Sequence, residues 1–314
     1  MKRKLVRQGH NTLTLSLPRR WCEINKLKEG EEVELSEKLN CLLVSKEAYR
    51  GSGEIKVDVS GLDRSTIMLL IQSLYTYGHN LITINSKDSK ARHVLGEKDV
   101  SMPKIVHDSV NRLVGAEVIS SLKGEYKIQV ITDDSREKFD VVLRRIFLLI
   151  TEMFECLEQG IEKRDKEIIE NIALQQANVK KFINYSLRIL NKFGHEQAEK
   201  SNFYFAIINF LGKISEIIKN TAGYTVVEGS LNQSKQACLL IKEIGEEFSR
   251  YYDLFYKYDI KKTSELHVER DKFKGRFYKL YKKISKDDVF IVASLMPIAD
   301  IMLDLIELRM AIGY

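Results

Sequence analysis

The sequence predicts a multidomain protein made of a small β domain of swapped hairpins, an α/β sandwich and an all-α region. Three observations support this order. Apolar and polar residues alternate near the N-terminus, a strand–helix–strand pattern follows, and apolar residues then recur every three or four positions. The expected domains are 1–50, 53–133 and 135–314. Only 3 prolines and 17 glycines occur in 314 residues, which argues against a disordered or loop-rich chain.

The first segment contains two predicted strands joined by a tight turn. Leu13, Leu15 and Leu17 alternate with hydroxyl side chains, which is the period of a half-buried strand. A shorter strand at 4–7 precedes them, and the Gly-His-Asn sequence at 9–11 supplies the turn. We expect the three leucines to belong to a core.

After this hairpin, Pro18 ends the second strand and allows a short helix over 19–25 to begin. Two more strands are expected at 32–35 and 41–45. Fifty residues of short strands bury little apolar surface, and a domain of this size usually needs a partner. We therefore expect a homodimer that interleaves its hairpins, with Trp21 in its core.

The middle segment predicts a strand–helix–strand unit followed by a helix and a hairpin. The expected elements are a strand at 54–59, a helix over 67–77, a strand at 80–84, a helix over 103–113, and strands at 114–120 and 126–131. Asp63 or Ser60 is expected to cap the first helix. No GxGxxG or GxxxxGK[ST] motif occurs, so the segment has no nucleotide-binding fingerprint.

The C-terminal segment is predicted to be helical throughout, with a single proline at Pro297. Six long helices are expected at roughly 135–160, 164–193, 198–223, 231–258, 262–284 and 286–312. They can be described as two successive three-helix repeats, about 135–225 and 229–314. Apolar stripes at this spacing bury against neighbouring helices.

The charge of the chain is concentrated at its N-terminus. There are 50 basic and 44 acidic side chains, a net charge of +6. The first 20 residues contain no acid and six basic residues: Lys2, Arg3, Lys4, Arg7, Arg19 and Arg20. These six equal the whole excess, which indicates a polyanionic partner such as a nucleic-acid backbone. A solvated basic terminus is the alternative interpretation.

Several functional classes find no support in the sequence. The four cysteines are scattered without a CxxC pair, which argues against a zinc ribbon or a redox motif. No HExxH motif and no pairing of a nucleophile with a base occurs, so we expect no enzymatic activity. No apolar run approaches the roughly 18 residues of a membrane span, and the N-terminus lacks a signal-peptide core. We expect a cytoplasmic protein with no membrane insertion.

The string RKLVRQGHNTLTLSLPRRWCEINKLKEGEEVEL at 3–35 resembles the AbrB/SpoVT/MazE family of swapped-hairpin DNA-binding domains. The matching features are the strand–turn–strand, SLP at 16–18 before a short helix containing Trp21, and LKEGEEVEL at 27–35. The helical segment resembles the PhoU family, which consists of two three-helix repeats. With VNRLVGAEV in the middle segment, the whole chain is similar to archaeal phosphate-uptake regulators that carry an AbrB-type domain.

These features assign expected roles on double-stranded DNA. The residues expected to contact phosphates are Arg3, Lys4, Arg7, Arg19 and Arg20. Those expected to reach base edges from the turn are Gln8, His10 and Asn11.

The PhoU resemblance also implies metal clusters held by acidic pairs four residues apart. The first repeat departs from that pattern, with Gln176 and Lys180 on one helix and Glu216 and Asn220 on the next. A lysine repels a divalent cation, so we expect no metal there. In the second repeat the acids are Asp271, Asp300 and Asp304. These three carboxylates could hold one divalent cation weakly; the alternative is a solvated acidic stripe, or acids that pair with Lys272 and Lys279.

The expected function is that of a DNA-binding transcription regulator of phosphate uptake or metabolism. The PhoU-like helices would act as a sensor or a docking region. One alternative is an adaptor that docks on a phosphate transporter or a signalling kinase through the helical segment. Another is an antitoxin-like role, which the MazE branch of the family implies.

Overall fold

The chain divides into two compact units, Met1–Arg50 and Gly51–Tyr314. The computed structural model describes residues 2–38, 41–46, 53–94, 96–132, 134–135, 137–227, 234–280 and 286–313. Small sheets occupy the N-terminal part and long helices the C-terminal part, so the expected mixed class is confirmed. The middle and helical segments of the sequence prediction both lie in the second unit.

The N-terminal unit contains two antiparallel hairpins and a short helix. Strand β1 (Val6–Gln8) pairs with β2 (Thr12–Thr14), and Arg7 lies opposite Leu13. Helix α1 (Arg19–Ile24) follows. In the second hairpin, β3 (Glu34–Lys38) pairs with β4 (Cys41–Ser45). Both predicted hairpins and the predicted short helix are therefore present.

A four-stranded sheet opens the second unit. Its parallel pair is β5 (Glu54–Asp58) and β6 (Leu81–Asn85), joined by α2 (Arg64–Tyr77). Asp63 caps α2 by accepting hydrogen bonds from the amides of Ser65 and Thr66. This confirms the predicted βαβ unit and selects Asp63 rather than Ser60 as the cap.

The remaining strands complete the sheet and add a separate hairpin that the sequence did not predict. That hairpin pairs β7 (Lys90–His93) with β8 (Lys98–Ser101) and leads into α3 (Met102–Val110). The predicted strands β9 (Ala116–Leu122) and β10 (Glu125–Val130) then form the second half of the sheet. The strand order is β5-β6-β10-β9.

The loop between α3 and β9 is held firmly against two helices. The Tyr75 hydroxyl donates to the carbonyl of Val114 at 2.9 Å, and Lys181 Nζ lies 3.4 Å from the carbonyl of Asn111. Gly115 has a φ of +64°, and a Cβ there would meet the side chain of Thr132. Only glycine fits this position without strain, because any side chain would meet Thr132.

Six long helices form the rest of the second unit and confirm the predicted segmentation. Their bounds are α4 (Lys138–Lys163), α5 (Lys166–Phe193), α6 (Ser201–Val227), α7 (Lys235–Tyr256), α8 (Ile260–Leu280) and α9 (Lys286–Ala311). Helices α4, α5 and α6 contact one another, as do α7, α8 and α9. The two groups meet where α4 packs against α7 and α6 against α9.

One hydrophobic core runs through the second unit, from Val59 on the sheet side to Ile312 near the C-terminus. Phe147 of α4 lies at its centre and contacts aromatic rings of α7, including Phe248 and Phe255. The Tyr251 hydroxyl is buried and donates to the carbonyl of Leu305 at 3.0 Å. This hydrogen bond joins α7 to α9 within the second group, whereas Phe147 packs the first group against the second.

A buried ion pair connects the sheet to α5. Arg188 is fully buried, and its Nε donates to Asp134 Oδ2 at 2.9 Å. Its Nη1 donates to the backbone carbonyls of Tyr75 and His79, both at 2.8 Å, and its Nη2 donates to Asn80 Oδ1 at 2.6 Å. Arg188 therefore satisfies the carbonyls at the end of α2 from a helix far along the chain.

Within the part of the chain that the structure describes, one helix is long and apolar enough to cross a membrane: Asp288–Ala311. This corrects the expectation that no such segment occurs. In the structure, 44% of its apolar window is buried, and α9 packs against α6, α7 and α8. Core helices of soluble proteins meet the same length and composition criteria, so the finding is consistent with a soluble protein.

Glu247 of α7 is an acid in an apolar setting. Its side chain is buried, and Oε2 has no hydrogen-bond partner among the described residues. Burial raises the pKa of Glu247 to about 7. Arg250 and Arg276 oppose the rise, whereas Glu243 and Glu269 add to it.

We expect this carboxyl to lower stability as the pH rises from 4.5 to about 7. Because the pKa of Glu247 is raised in the folded state, the folded protein holds its proton more tightly than the unfolded chain does. The free energy of unfolding therefore falls between the unfolded and the folded pKa and stays low above the folded pKa. The difference corresponds to at most about 3 kcal/mol. Glu247→Gln should exceed the wild type in free energy of unfolding at pH 8 and match it near pH 4, as measured by urea denaturation. Equal values at pH 8 would contradict this expectation.

Candidate nucleic-acid interface

The β1–β2 hairpin presents its turn to solvent. Gly9 adopts a φ of +71° in the turn, and Arg7 Nη2 donates to the carbonyl of His10 at 2.9 Å. Thr14 Oγ1 donates to the carbonyl of Val6 at 3.1 Å. Arg7 shares a hairpin face with Leu13, but its guanidinium reaches along the strand to the turn. A positive charge therefore lies beside the residues expected to meet base edges.

The side chains expected at those edges are all exposed. Gln8 ends β1, while His10 and Asn11 complete the turn. Each of the three can donate and accept hydrogen bonds, which is the chemistry that reads base edges. They lie next to one another at the tip of a hairpin, as the sequence predicts.

Helix α1 supplies the second group of cations. The amides of Trp21 and Cys22 donate to the carbonyl of Pro18, which places Arg19 and Arg20 at the first helical positions. Both arginines are exposed. The end of the helix is tied to the second hairpin, since Lys46 Nζ donates to the carbonyl of Asn25 at 2.9 Å. The paired arginines therefore project from a short but anchored helix.

One acidic side chain competes for these cations. Arg19 Nε lies 2.8 Å from Glu23 Oε1, with side chains 92% and 62% exposed. An ion pair this exposed contributes little, about 0–1 kcal/mol, and a phosphate can displace it. Lys2, Arg3 and Lys4 are also exposed. Among the described residues, none of the six N-terminal cations except Arg19 has an acidic partner.

Within the described residues, the apolar side chains of this unit form no core in a single copy of the chain. Leu13 is 63% exposed and Leu15 49% exposed, so their burial in the core of a dimer stays a prediction. Leu17 and Trp21 are half-buried. The physical reason is that two-stranded hairpins form one layer, and a layer buries its apolar face only against another. Leu5 is also exposed and lies between Lys4 and Arg7 in the sequence, so exposed apolar side chains and basic side chains occur together in this segment.

The acids expected to hold a metal have basic neighbours instead. Arg270 Nη1 lies 2.8 Å from Asp271 Oδ1, and Arg270 Nη2 lies 3.1 Å from Asp300 Oδ1. Lys274 Nζ donates to the same Asp300 oxygen at 2.7 Å and lowers the pKa of that carboxyl, together with Arg270. Asp304 is exposed. A guanidinium therefore lies between two of the three proposed ligands.

This arrangement does not fit the cation site expected from the sequence. Among the described residues, no group of three His, Cys, Asp or Glu side chains is placed to hold a metal ion. Asp271 and Asp300 meet through Arg270, and positive charge at that point repels a divalent cation. Asp271 and Asp300 are solvent-exposed, as the alternative of a solvated stripe expects, but their basic partners are Arg270 and Lys274 rather than Lys272 and Lys279.

No family model, curated protein or solved structure matches the chain.

The structure also brings together cations that the sequence did not single out as a group. Arg64, Arg112, Lys180 and Lys213 line two adjoining cavities in the second unit. They are separated by up to 149 positions along the chain, counted from the first to the last. No local motif links these four residues, so the spacing of residues along the sequence does not reveal them as a group.

Proposed function

We propose that the protein is a homodimeric transcription regulator that binds double-stranded DNA through its N-terminal unit. The observation that carries the proposal is the set of six exposed N-terminal cations, whose one acidic competitor among the described residues is a solvent-exposed glutamate. The resemblance to the AbrB/SpoVT/MazE family supports the same reading. Its expected role is binding rather than catalysis.

In this proposal, a dimer presents twelve cations to the DNA. If about half of them meet phosphates, affinity falls about a thousandfold between 50 and 200 mM salt, with a slope near −0.9 per contact. Gln8, His10 and Asn11 add base contacts from the hairpin tip. The apolar surface of Leu13 and Leu15 faces the second copy.

The helical part of the second unit is the proposed sensor or docking region. Its two groups of three helices are compatible with the resemblance to the PhoU family. On that resemblance we propose that the regulated genes serve phosphate uptake or phosphate metabolism, and that the protein acts in the cytoplasm. Genome-wide mapping of bound DNA tests the choice of genes directly.

We expect the full chain with Arg19→Gln and Arg20→Gln to bind duplex DNA about a hundredfold more weakly at 100 mM salt. Each lost phosphate contact contributes about 0.9 log units at that concentration, and a dimer loses two to four of them. The measurement is a fluorescence-anisotropy titration of labelled duplex at several salt concentrations. The salt slope should become shallower by about two to four.

A matched control removes the same charge elsewhere. Lys163 and Lys166 are exposed at the junction of α4 and α5, and Lys163→Gln with Lys166→Gln should leave both affinity and salt slope unchanged. Equal weakening of the two double variants would show that only net charge matters. An unchanged slope in the arginine variant would contradict the proposed interface.

A further inference from the structure

Two adjoining cavities lie between the sheet-side helices and the bundle. The smaller, about 160 Å³, is lined by residues of α5 and α6 and by Gln72 of α2, and the larger, about 220 Å³, by residues of α2, α3, the α3–β9 loop and α5. Gln72 and Lys180 line both cavities. Their combined volume, about 380 Å³, lies at the lower end of the size range of small-molecule sites, roughly 300–1,000 Å³.

The lining of this cleft is strongly basic. Its cations are Arg64, Arg112, Lys180 and Lys213, against a single acid, Glu216. Arg64 forms an ion pair with Asp108, with Nη2 3.6 Å from Asp108 Oδ2. Among the described residues, the side chains of the other three cations have no hydrogen-bond or ion-pair partner. A cleft with this balance attracts anions.

Neutral donors line the same space. Asn184, in the smaller cavity, is 1% exposed, and its Nδ2 has no hydrogen-bond partner among the described residues. A buried amide donor without an acceptor is rare in native proteins and calls for a bound ligand or water. Gln72 and Gln176 provide further amides at the cleft.

The cations are held by well-anchored elements. Arg112 belongs to the α3–β9 loop, which Tyr75 and Lys181 fix through the carbonyls of Val114 and Asn111. Lys180 lies in the middle of α5, where both cavities meet. A binding site on rigid elements loses little conformational entropy when it is occupied.

We propose that this cleft binds a small polyanion whose charge lies on phosphoryl or carboxylate oxygens. Lysine and arginine are the usual partners of both groups, and charge-assisted hydrogen bonds to them are the strong ones. The unpaired amide of Asn184 would donate to a ligand oxygen. The inference depends only on the second unit and holds whether or not the N-terminal unit binds DNA.

The test is isothermal titration calorimetry of the full chain with pyrophosphate and, separately, with citrate, at constant ionic strength set by chloride. We expect saturable binding at one site per chain for at least one of the two anions, and the better ligand identifies the phosphoryl or carboxylate class. Lys180→Gln should weaken binding about tenfold or more. Arg112→Gln, which changes a cation on a different element of the cleft, should also weaken binding about tenfold or more.

Two controls locate the binding. Lys166→Gln removes an exposed lysine from the same helix, 14 residues and so about 21 Å from Lys180, and should leave the affinity unchanged. Arg19→Gln with Arg20→Gln should also leave it unchanged, which separates the cleft from the N-terminal cations. Circular dichroism and thermal unfolding without ligand show whether each variant is folded.

Three results would overturn the proposal. The first is that neither anion binds the wild type at millimolar concentration. The second is that folded Lys180→Gln and folded Arg112→Gln both bind the anion as well as the wild type does. The third is that anion affinity is lost only in the variant of Arg19 and Arg20. If folded Lys180→Gln weakens duplex binding while neither small anion binds, the cleft contacts nucleic acid instead.

Discussion

Replacing Arg188 with methionine is expected to lower the free energy of unfolding by about 3–5 kcal/mol. The substitution keeps much of the aliphatic volume but removes the guanidinium that faces Asp134, whose side chain is 1% exposed. The buried carboxylate then keeps only Lys192 as a charged partner and carries much of its cost of desolvation. The backbone carbonyls of Tyr75 and His79 lose their donor at the same time.

The neighbouring lysine provides the matched control. Lys192 Nζ also lies 2.8 Å from Asp134 Oδ2, but its side chain is partly exposed. Lys192→Met should therefore cost about 1–2 kcal/mol, because Arg188 still pairs with Asp134 Oδ2. The measurement is urea denaturation followed by circular dichroism, with equal slopes required for comparison.

A double substitution isolates the charge pair. Asp134→Asn removes the uncompensated charge, so Arg188→Met combined with Asp134→Asn should recover part of the loss seen in Arg188→Met alone. If Arg188→Met costs less than 1 kcal/mol, the guanidinium does not support the contact between α5 and the end of α2. Additive losses in the double variant would show that the two side chains act independently.

Elements with strong local patterns could be predicted from the sequence. The alternation at Leu13 and Leu15 indicates a strand, and the predicted helices of the C-terminal segment agree with α4 to α9. The cap at Asp63 was also predictable because a side-chain acceptor before an apolar helix has a local role. Such signals depend on residues only a few positions apart.

The β7–β8 hairpin shows where this approach fails. Lys90–His93 and Lys98–Ser101 are short and mostly charged or polar, with Ala91 buried and Val100 half-buried. One apolar residue in each strand gives no alternation to detect. The strands form because they pair with each other. Pairing between short polar segments does not produce the alternation of apolar and polar residues by which a strand is recognised in a sequence.

Long-range polar contacts were invisible for a similar reason. Arg188 lies in a helix rich in basic residues, so its sequence context suggests an exposed side chain. Its observed hydrogen-bond partners lie 54 to 113 positions away along the chain. The cleft around Lys180 collects side chains from four parts of the second unit. The sequence marked Lys180 only as incompatible with a metal, and the structure adds the cations that surround it.

The exposed leucines of the N-terminal hairpin lead to the last expectation. We expect Leu13→Glu with Leu15→Glu to convert a dimer into a monomer. In the proposed dimer, four leucines are buried against the second copy, and their loss costs about 4–6 kcal/mol, or about 10³- to 10⁴-fold in dimer affinity. Analytical ultracentrifugation of the full chain measures the change.

The same variant separates dimerisation from charge in DNA binding. Its cations are intact, so weaker duplex binding would follow from the loss of the paired platform, with a shallower salt slope because only six cations remain on each particle. Leu174→Glu is the control, since Leu174 is 68% exposed on α5 and should affect neither property. A wild type that sediments as a monomer, or a double variant that remains a dimer, would contradict this assignment of the apolar face. Since an unpaired hairpin layer cannot bury its own leucines, the dimer is the physical condition on which the proposed interface depends.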